Sequence, residues 1–173
     1  MKIALTAPLY TLGVDGTGGV GVFFQRMAKA LIERGHEVDV LTVKKSIVDG
    51  NKIVIMEEGI FDHPMPLEYS IERDIVGTKI ALKYLQDNYQ KYDVIHNNMV
   101  NHLAFEEIAT LPKSITTFHQ PADSLGIKTA LKNNPDVAKA NFVAISTHQQ
   151  QSINLNFIKM IPHGLDLNDF VIG

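Results

Sequence analysis

Short runs of β-branched residues that alternate with segments of helical periodicity limit the possible folds of this chain more than any other feature. Seven such runs are spaced along the sequence, and several are apolar almost throughout, as strands covered on both faces are. The alternation is typical of stacked βαβ units. We therefore predict an α/β fold: a Rossmann-like, open, mainly parallel sheet of about seven strands with helices on both faces. The strands are predicted at residues 2–6, 37–43, 52–56, 92–97, 114–118, 141–145 and 159–161.

Helices are predicted where apolar residues recur at intervals of three and four. The first begins near Val20 and stops at Gly35, because glycine readily adopts the left-handed conformation that follows a helix. The sequence predicts four more helices, over residues 71–89, from about 101 to before 111, over 122–132 and over 147–157.

Length and charge exclude several classes of function. The 173 residues suffice for one domain, and 16 Lys plus Arg against 19 Asp plus Glu give a net charge of −3, so we expect no nucleic-acid partner. The amino-terminal apolar run is too short for a signal or membrane-spanning segment. Residues 70–91 mix both signs of charge, so no stable membrane attachment is expected. The lack of cysteine fits a reducing compartment, and we expect a cytoplasmic protein.

A glycine-rich segment, GVDGTGGVGVFF, lies between the first strand and the first helix. Gly16, Gly18 and Gly21 match the dinucleotide-binding spacing G-x-G-x-x-G. However, the first strand ends near Ala7-Pro8, eight or nine residues before Gly16, and Asp39 lies inside the second strand rather than at its end. Both departures argue against an NAD-dependent oxidoreductase, which would have to bind a nicotinamide cofactor tightly.

Two interpretations of the glycine segment remain. Backbone N–H groups at a helix start, with no Cβ atoms in the way, suit a phosphate or a sugar hydroxyl. Alternatively, the glycines serve only the turns of a mobile loop.

Polar residues follow three predicted strands, at the edge where open α/β sheets bind ligands. These candidates are His96, Asn97 and Asn98, then His119 and Gln120, and finally Ser146 and Thr147. We expect them to meet beside the glycine segment. The histidines lack metal-ligand spacing, there is no D-x-D cluster and no G-x-S-x-G elbow, so we expect neither a metal site nor a serine hydrolase.

The combination of these segments resembles the amino-terminal domain of retaining glycosyltransferases with the GT-B fold, in the glycogen-synthase-like and sucrose-synthase-like group known as family four. The likeness covers essentially the whole chain. It differs at His163, where the family commonly has Asn. The motifs that carry it are Lys2-Ile-Ala-Leu, Gly18-Gly19-x-Gly21, Arg34-Gly-His-Glu-Val38, Tyr92-Asp-Val-Ile-His96, Thr116-Thr-Phe-His119, Val143-Ala-Ile-Ser146 and Ile161-Pro-His-Gly-Leu-Asp166 with Phe170.

The resemblance implies a sugar-transfer site in a cleft between two domains. The glycine backbone, with Gly18, Gly19 and Gly21, would face a nucleotide-sugar donor and a small-molecule or glycan acceptor. His119 would lie beside the transferring sugar as the catalytic residue. Such enzymes use no cofactor beyond the nucleotide sugar as co-substrate, and they are typically metal-independent. The implied substrate-binding residues also include His96, Asn97, Gln120 and Ser146.

The resemblance also implies a domain organisation. Residues 1–165 would form the acceptor-side domain and residues 166–173 the start of the interdomain linker, with the carboxy-terminal donor-binding domain absent from the sequence. The chain alone is then expected to be inactive and to need that domain in cis or in trans. A free-standing, non-catalytic carbohydrate- or nucleotide-binding module remains the alternative.

Overall fold

The computed structural model describes residues 1–13 and 18–164. The strands are β1 (Lys2–Thr6), β2 (Glu37–Val43), β3 (Asn51–Met56), β4 (Val94–Asn97), β5 (Ser114–Phe118), β6 (Phe142–Ala144) and β7 (Phe157–Met160). The α-helices are α1 (Gly19–Glu33), α2 (Leu67–Asn88), α3 (Leu125–Asn133) and α4 (Thr147–Ser152). Shorter helical segments are the 3₁₀ turns Tyr89–Lys91 and Pro135–Lys139 and the π-helical turn Ala104–Ile108.

All seven strands form one open sheet in the order β3-β2-β1-β4-β5-β6-β7, and every neighbouring pair is parallel. The predicted α/β fold is therefore confirmed. The predicted bounds of β1, β2 and β5 coincide with the observed ones. The predicted linker at residues 166–173 and the predicted glycine Gly16 lie outside the described residues.

One helix prediction is wrong over its second half. The helix predicted over residues 147–157 ends at Ser152, and β7 begins at Phe157, two residues earlier than predicted. The apolar residues Ile153, Leu155 and Phe157 alternate along the chain, which is the period of extended structure, and all three belong to one core cluster. The helix ends at Ser152 because only an extended backbone brings all three side chains into the core.

Helices cover both faces of the sheet. Ile3 and Leu5 of β1 pack in a core with Phe24 and Ala28 of α1. Ala4, the residue between them, belongs to a second core with α2 residues Ala81 and Leu85. Because successive side chains of a strand point to opposite faces, this division places α1 and α2 on opposite sides of the sheet.

The connections reverse direction at the middle of the sheet. After β1, strands β2 and β3 are added in turn on one side of it. The chain then crosses back, and β4, β5, β6 and β7 are added in turn on the other side of β1. Open α/β sheets bind ligands in the crevice at the carboxyl ends of such neighbouring strands. Within the described residues, none of the helices has the length and apolar character needed to span a membrane.

Candidate functional site

The start of α1 leaves the backbone of two glycines accessible. The Gly18 carbonyl accepts hydrogen bonds from the N–H groups of Gly21 (2.8 Å) and Val22 (3.2 Å), which fixes the first turn. A Cβ atom added to Gly18 or Gly19 would meet no described atom within 4 Å. Gly18 has a φ of −62°, which any residue can adopt. The fold therefore does not itself require glycine at this position, whereas a ligand that approaches the main chain closely would.

His119 follows β5 and is held by a neighbour at the end of β4. Its Nε2 lies 3.0 Å from Oδ1 of Asn98. The Asn98 amide nitrogen donates to the carbonyl of His96 at 3.3 Å, so the amide oxygen faces the imidazole and must accept. His119 therefore carries its proton on Nε2 and presents the Nδ1 lone pair on the other side.

His163 lies against that second nitrogen. Its Nε2 is 3.3 Å from His119 Nδ1, and the two rings stack with centroids 5.2 Å apart. Phe23, in the first turns of α1, contacts His163 at a centroid distance of 3.9 Å and His119 at 5.6 Å. We call Phe23, His119 and His163 the imidazole cluster. It connects the glycine-led helix to the end of β5.

Burial keeps the histidines at this edge neutral. It lowers the pKa of His119 to about 3, with the neighbouring His163 and His96 adding to the shift. It also lowers the pKa of His96 to about 4, and it lowers the pKa of His163. At neutral pH the imidazoles can therefore donate and accept hydrogen bonds without carrying a positive charge.

His96 and Asn97, two of the predicted site residues, are engaged within the sheet. His96 Nε2 lies 2.7 Å from the Thr117 hydroxyl on β5. Asn97 is fully buried, its Oδ1 accepts from the Thr6 hydroxyl (2.8 Å) and the Met99 N–H (3.1 Å), and its Nδ2 donates to Thr116 (3.3 Å). The Asn97 side chain thus ties β1, β4 and β5 together.

Gln120 and Ser146 stand at the ends of β5 and β6 with local partners. The Gln120 side-chain oxygen accepts from Ser124 (2.7 Å), and Ser146 caps α4 by accepting from the Gln149 N–H (3.2 Å). Gln149 is 6% exposed and donates to the carbonyls of Phe118 (3.0 Å) and Gln120 (2.7 Å). Its side chain therefore fixes the segment that follows β5 against α4.

Two residues at this edge were not predicted as site residues: Phe23 and His163. Phe23 fits the apolar period of α1 and gives no separate signal, whereas the sequence already places Asn98 among the polar residues that follow the fourth strand. His163 lies 44 residues from its partner His119, so no local pattern relates the two. Within the described residues, no group of three or more His, Asp or Glu side chains is arranged to hold a metal ion.

Comparison with known proteins gives one finding. The family model described as Glycosyltransferase Family 4 matches residues 17–169, which is most of the 173-residue chain. No curated protein matches the sequence. The matched region includes α1, all strands from β2 to β7 and the imidazole cluster.

Proposed function

Because the chain belongs to glycosyltransferase family 4, we propose that it supplies the acceptor side of a sugar-transfer cleft. The donor is a nucleotide sugar, and the sugar is transferred with retention of its anomeric configuration. A carboxy-terminal domain, in cis or in trans, binds most of the donor. The observation that supports this proposal best is the neutral His119, oriented by Asn98 and joined through Phe23 to the glycine-led start of α1.

The charge state of His119 suits this reaction. As the bond between the sugar C1 and the diphosphate oxygen breaks, its electron pair leaves with the diphosphate and positive charge develops at C1. A protonated imidazole beside C1 would repel that charge, whereas a neutral one can accept a hydrogen bond from a sugar hydroxyl through Nδ1. His163 occupies Nδ1 in this structure, so the sugar hydroxyl would replace it there.

The start of α1 suits the other charge in the reaction. Unpaired N–H groups and the helix dipole favour an anion at a helix amino terminus. The open backbone at Gly18 and Gly19 lets an oxygen of the departing diphosphate approach those N–H groups. Transfer is complete when the acceptor oxygen has bonded to C1 from the side that the diphosphate leaves and has passed its proton to the departing diphosphate oxygen.

A transfer assay tests the proposal. We expect the isolated chain to fold but to transfer nothing from UDP- or GDP-sugars, and the chain extended into the downstream reading frame of its gene to gain activity. In the active protein, His119→Gln should lower kcat on the order of 10²-fold, as the loss of one stabilising contact does. An extended protein that neither transfers nor binds any of these donors would contradict the proposal.

A further inference from the structure

An apolar pocket opens at the carboxyl ends of the two central strands. Leu9 and Tyr10 after β1 form one wall, Met99 and Val100 after β4 form another, and α2 closes it with Ile71 and Asp74. The pocket encloses about 230 Å³, which is smaller than a site for a drug-sized molecule. It lies where the connections of the sheet reverse direction, the position at which open α/β sheets bind small molecules.

The pocket adjoins the candidate transfer site on two sides. Val100 lies two residues after Asn98, the residue that orients His119. On the other side, Tyr10 packs against the core cluster that contains Phe24 and Ala28 of α1. A molecule held in the pocket would therefore contact the segment that carries Asn98, the partner of His119, and a residue that packs against α1.

Asp74 is the one charged side chain among the described residues that line this pocket. Its Oδ2 accepts from Asn101 Nδ2 at 2.9 Å, whereas its second oxygen has no hydrogen-bond partner and its carboxylate no salt bridge within the described part of the chain. Burial raises the pKa of Asp74, against the opposing effects of Asn101 and His102. A carboxylate in such surroundings favours a cation or a hydrogen-bond donor and disfavours a second anion.

The mouth of the pocket is also apolar. Phe61 is 67% exposed there, and its ring lies 6.1 Å from that of Tyr10. Leu67 and Ile71 at the same mouth are 72% and 54% exposed. Adjacent exposed apolar side chains of this kind mark a surface that binds an apolar group.

We propose that this pocket binds the acceptor of the sugar transfer, and that the acceptor is a small apolar molecule, such as one with an aromatic ring, that offers a hydroxyl or ammonium group to Asp74. Acceptors whose recognised group is a phosphate or a carboxylate are disfavoured. The assignment of the pocket to the acceptor rests on the proposed function. The chemistry of the ligand rests on the pocket alone.

Three probes that share one ring test the proposal on the full chain. Tyramine carries an ammonium group, 4-hydroxyphenethyl alcohol a neutral hydroxyl, and 4-hydroxyphenylacetate a carboxylate. Titrations followed by backbone amide NMR should give saturable shifts at Tyr10, Ile71 and Val100 for the first two. We expect 4-hydroxyphenylacetate to bind at least about tenfold more weakly than tyramine, because its charge would meet Asp74.

Two pairs of variants locate the effect. Asp74→Asn should remove the preference for tyramine over the carboxylate, whereas Glu72→Gln, the same loss of charge at an exposed position of α2, should keep it. Ile71→Trp should block the mouth and weaken tyramine and the alcohol alike, whereas Ile80→Trp, on the same helix but outside this pocket, should not. Thermal melts check that each variant is folded, and the Ile71 pair tests the pocket even if Asp74→Asn does not fold.

The outcomes separate this proposal from the proposed function. Equal binding of tyramine and the carboxylate, shifts away from the pocket, or no saturable binding of any probe would overturn the proposal. If tyramine binds as expected but the extended protein neither transfers sugar from nor binds any of the UDP- or GDP-sugars, the proposed function fails while the ligand chemistry stands. If sugar is transferred only to phosphorylated or carboxylated acceptors, the transferase proposal stands and the pocket proposal fails.

Discussion

Two polar groups at the same edge of the sheet differ in how completely their hydrogen bonds are satisfied. Thr6, Asn97 and Thr116, which we call the threonine–asparagine network, are each 0% exposed and bonded to one another across β1, β4 and β5. The imidazole cluster is only partly buried, and Nδ1 of His163 is a buried atom without a hydrogen-bond partner among the described residues. Both lie where the sequence predicts ligand-binding residues.

The difference shows that polarity at the end of a strand does not by itself identify a binding residue. Asn97 and Asn98 are consecutive and both are fully buried. The Asn97 carboxamide bonds within the network, whereas the Asn98 carboxamide orients an imidazole that borders the open start of α1. A network with closed hydrogen bonds stabilises the sheet, and a partly open cluster retains atoms that a ligand can use.

Asn97→Ala should produce the largest effect on stability and should break the threonine–asparagine network. The change leaves the Thr6 hydroxyl and the Met99 N–H buried without their acceptor, so we expect the free energy of unfolding to fall by about 2–4 kcal/mol. Urea unfolding measures it. Asn133→Ala, an exposed Asn on α3, is the control and should cost much less. A loss for Asn97→Ala no larger than that of the control would show that the network is dispensable.

The pH dependence of stability should reflect the buried histidines. Folding lowers the pKa of His96 from 6.5 to about 4, so between these values the unfolded chain binds more protons than the folded one. The neutral His96 therefore contributes fully to the free energy of unfolding above about pH 6.5. This contribution falls as the pH is lowered, by about 2 kcal/mol at pH 4.5. We call the decrease in the free energy of unfolding from pH 7.5 to pH 4.5 the acid loss. Urea unfolding at the two pH values should give a smaller acid loss for His96→Gln than for the unchanged protein.

A matched histidine checks that interpretation. His148→Gln replaces an exposed histidine on α4 and should leave the acid loss as it is in the unchanged protein. Equal acid losses in His96→Gln and in the unchanged protein would indicate that the His96 imidazole is not held neutral by burial.

Ser146→Ala should lower stability less than Asn97→Ala does. It tests whether the Ser146 hydroxyl serves the fold or a ligand. Removal of the hydroxyl deletes the cap of α4, which typically costs about 1 kcal/mol. Thermal unfolding measures the loss. If Ser146 is only a cap, Ser146→Thr should restore stability and neither variant should change transfer by the extended protein. A large loss of transfer in Ser146→Ala, measured where that variant is fully folded and restored by Ser146→Thr, would instead assign the hydroxyl to the ligand.

Local patterns in the sequence predict the sheet well because strand residues buried on both faces are apolar almost throughout. The α4 start could also be predicted, since Ser146 and Gln149 have the S-x-x-Q spacing of a capping box. Contacts between distant segments could not. His119 meets His163, and Gln149 reaches Phe118 and Gln120, only after β5, β6 and β7 have paired.

The same limit applies to the pocket and to Asn97. Asp74 lies on a helix whose exposed residues are mostly charged or apolar, and nothing in its sequence distinguishes it from Asp87 or Glu72. Its position in an apolar pocket depends on how α2 packs against the segments after β1 and β4. Likewise, only the register of β1 against β4 and β5 reveals that Asn97 is enclosed.

The central claim is that the open backbone at the start of α1 serves a ligand rather than the fold, and two glycines at opposite ends of this helix test it. Gly19 begins α1 with free space around it, whereas Gly35, just after α1, has a φ of +79°. In the extended protein, Gly19→Ala should leave thermal stability unchanged or raise it and should reduce transfer from the nucleotide sugar at least about tenfold. Gly35→Ala should lower stability by about 1 kcal/mol and leave transfer by the folded protein unchanged. Full transfer activity in Gly19→Ala would contradict the claim.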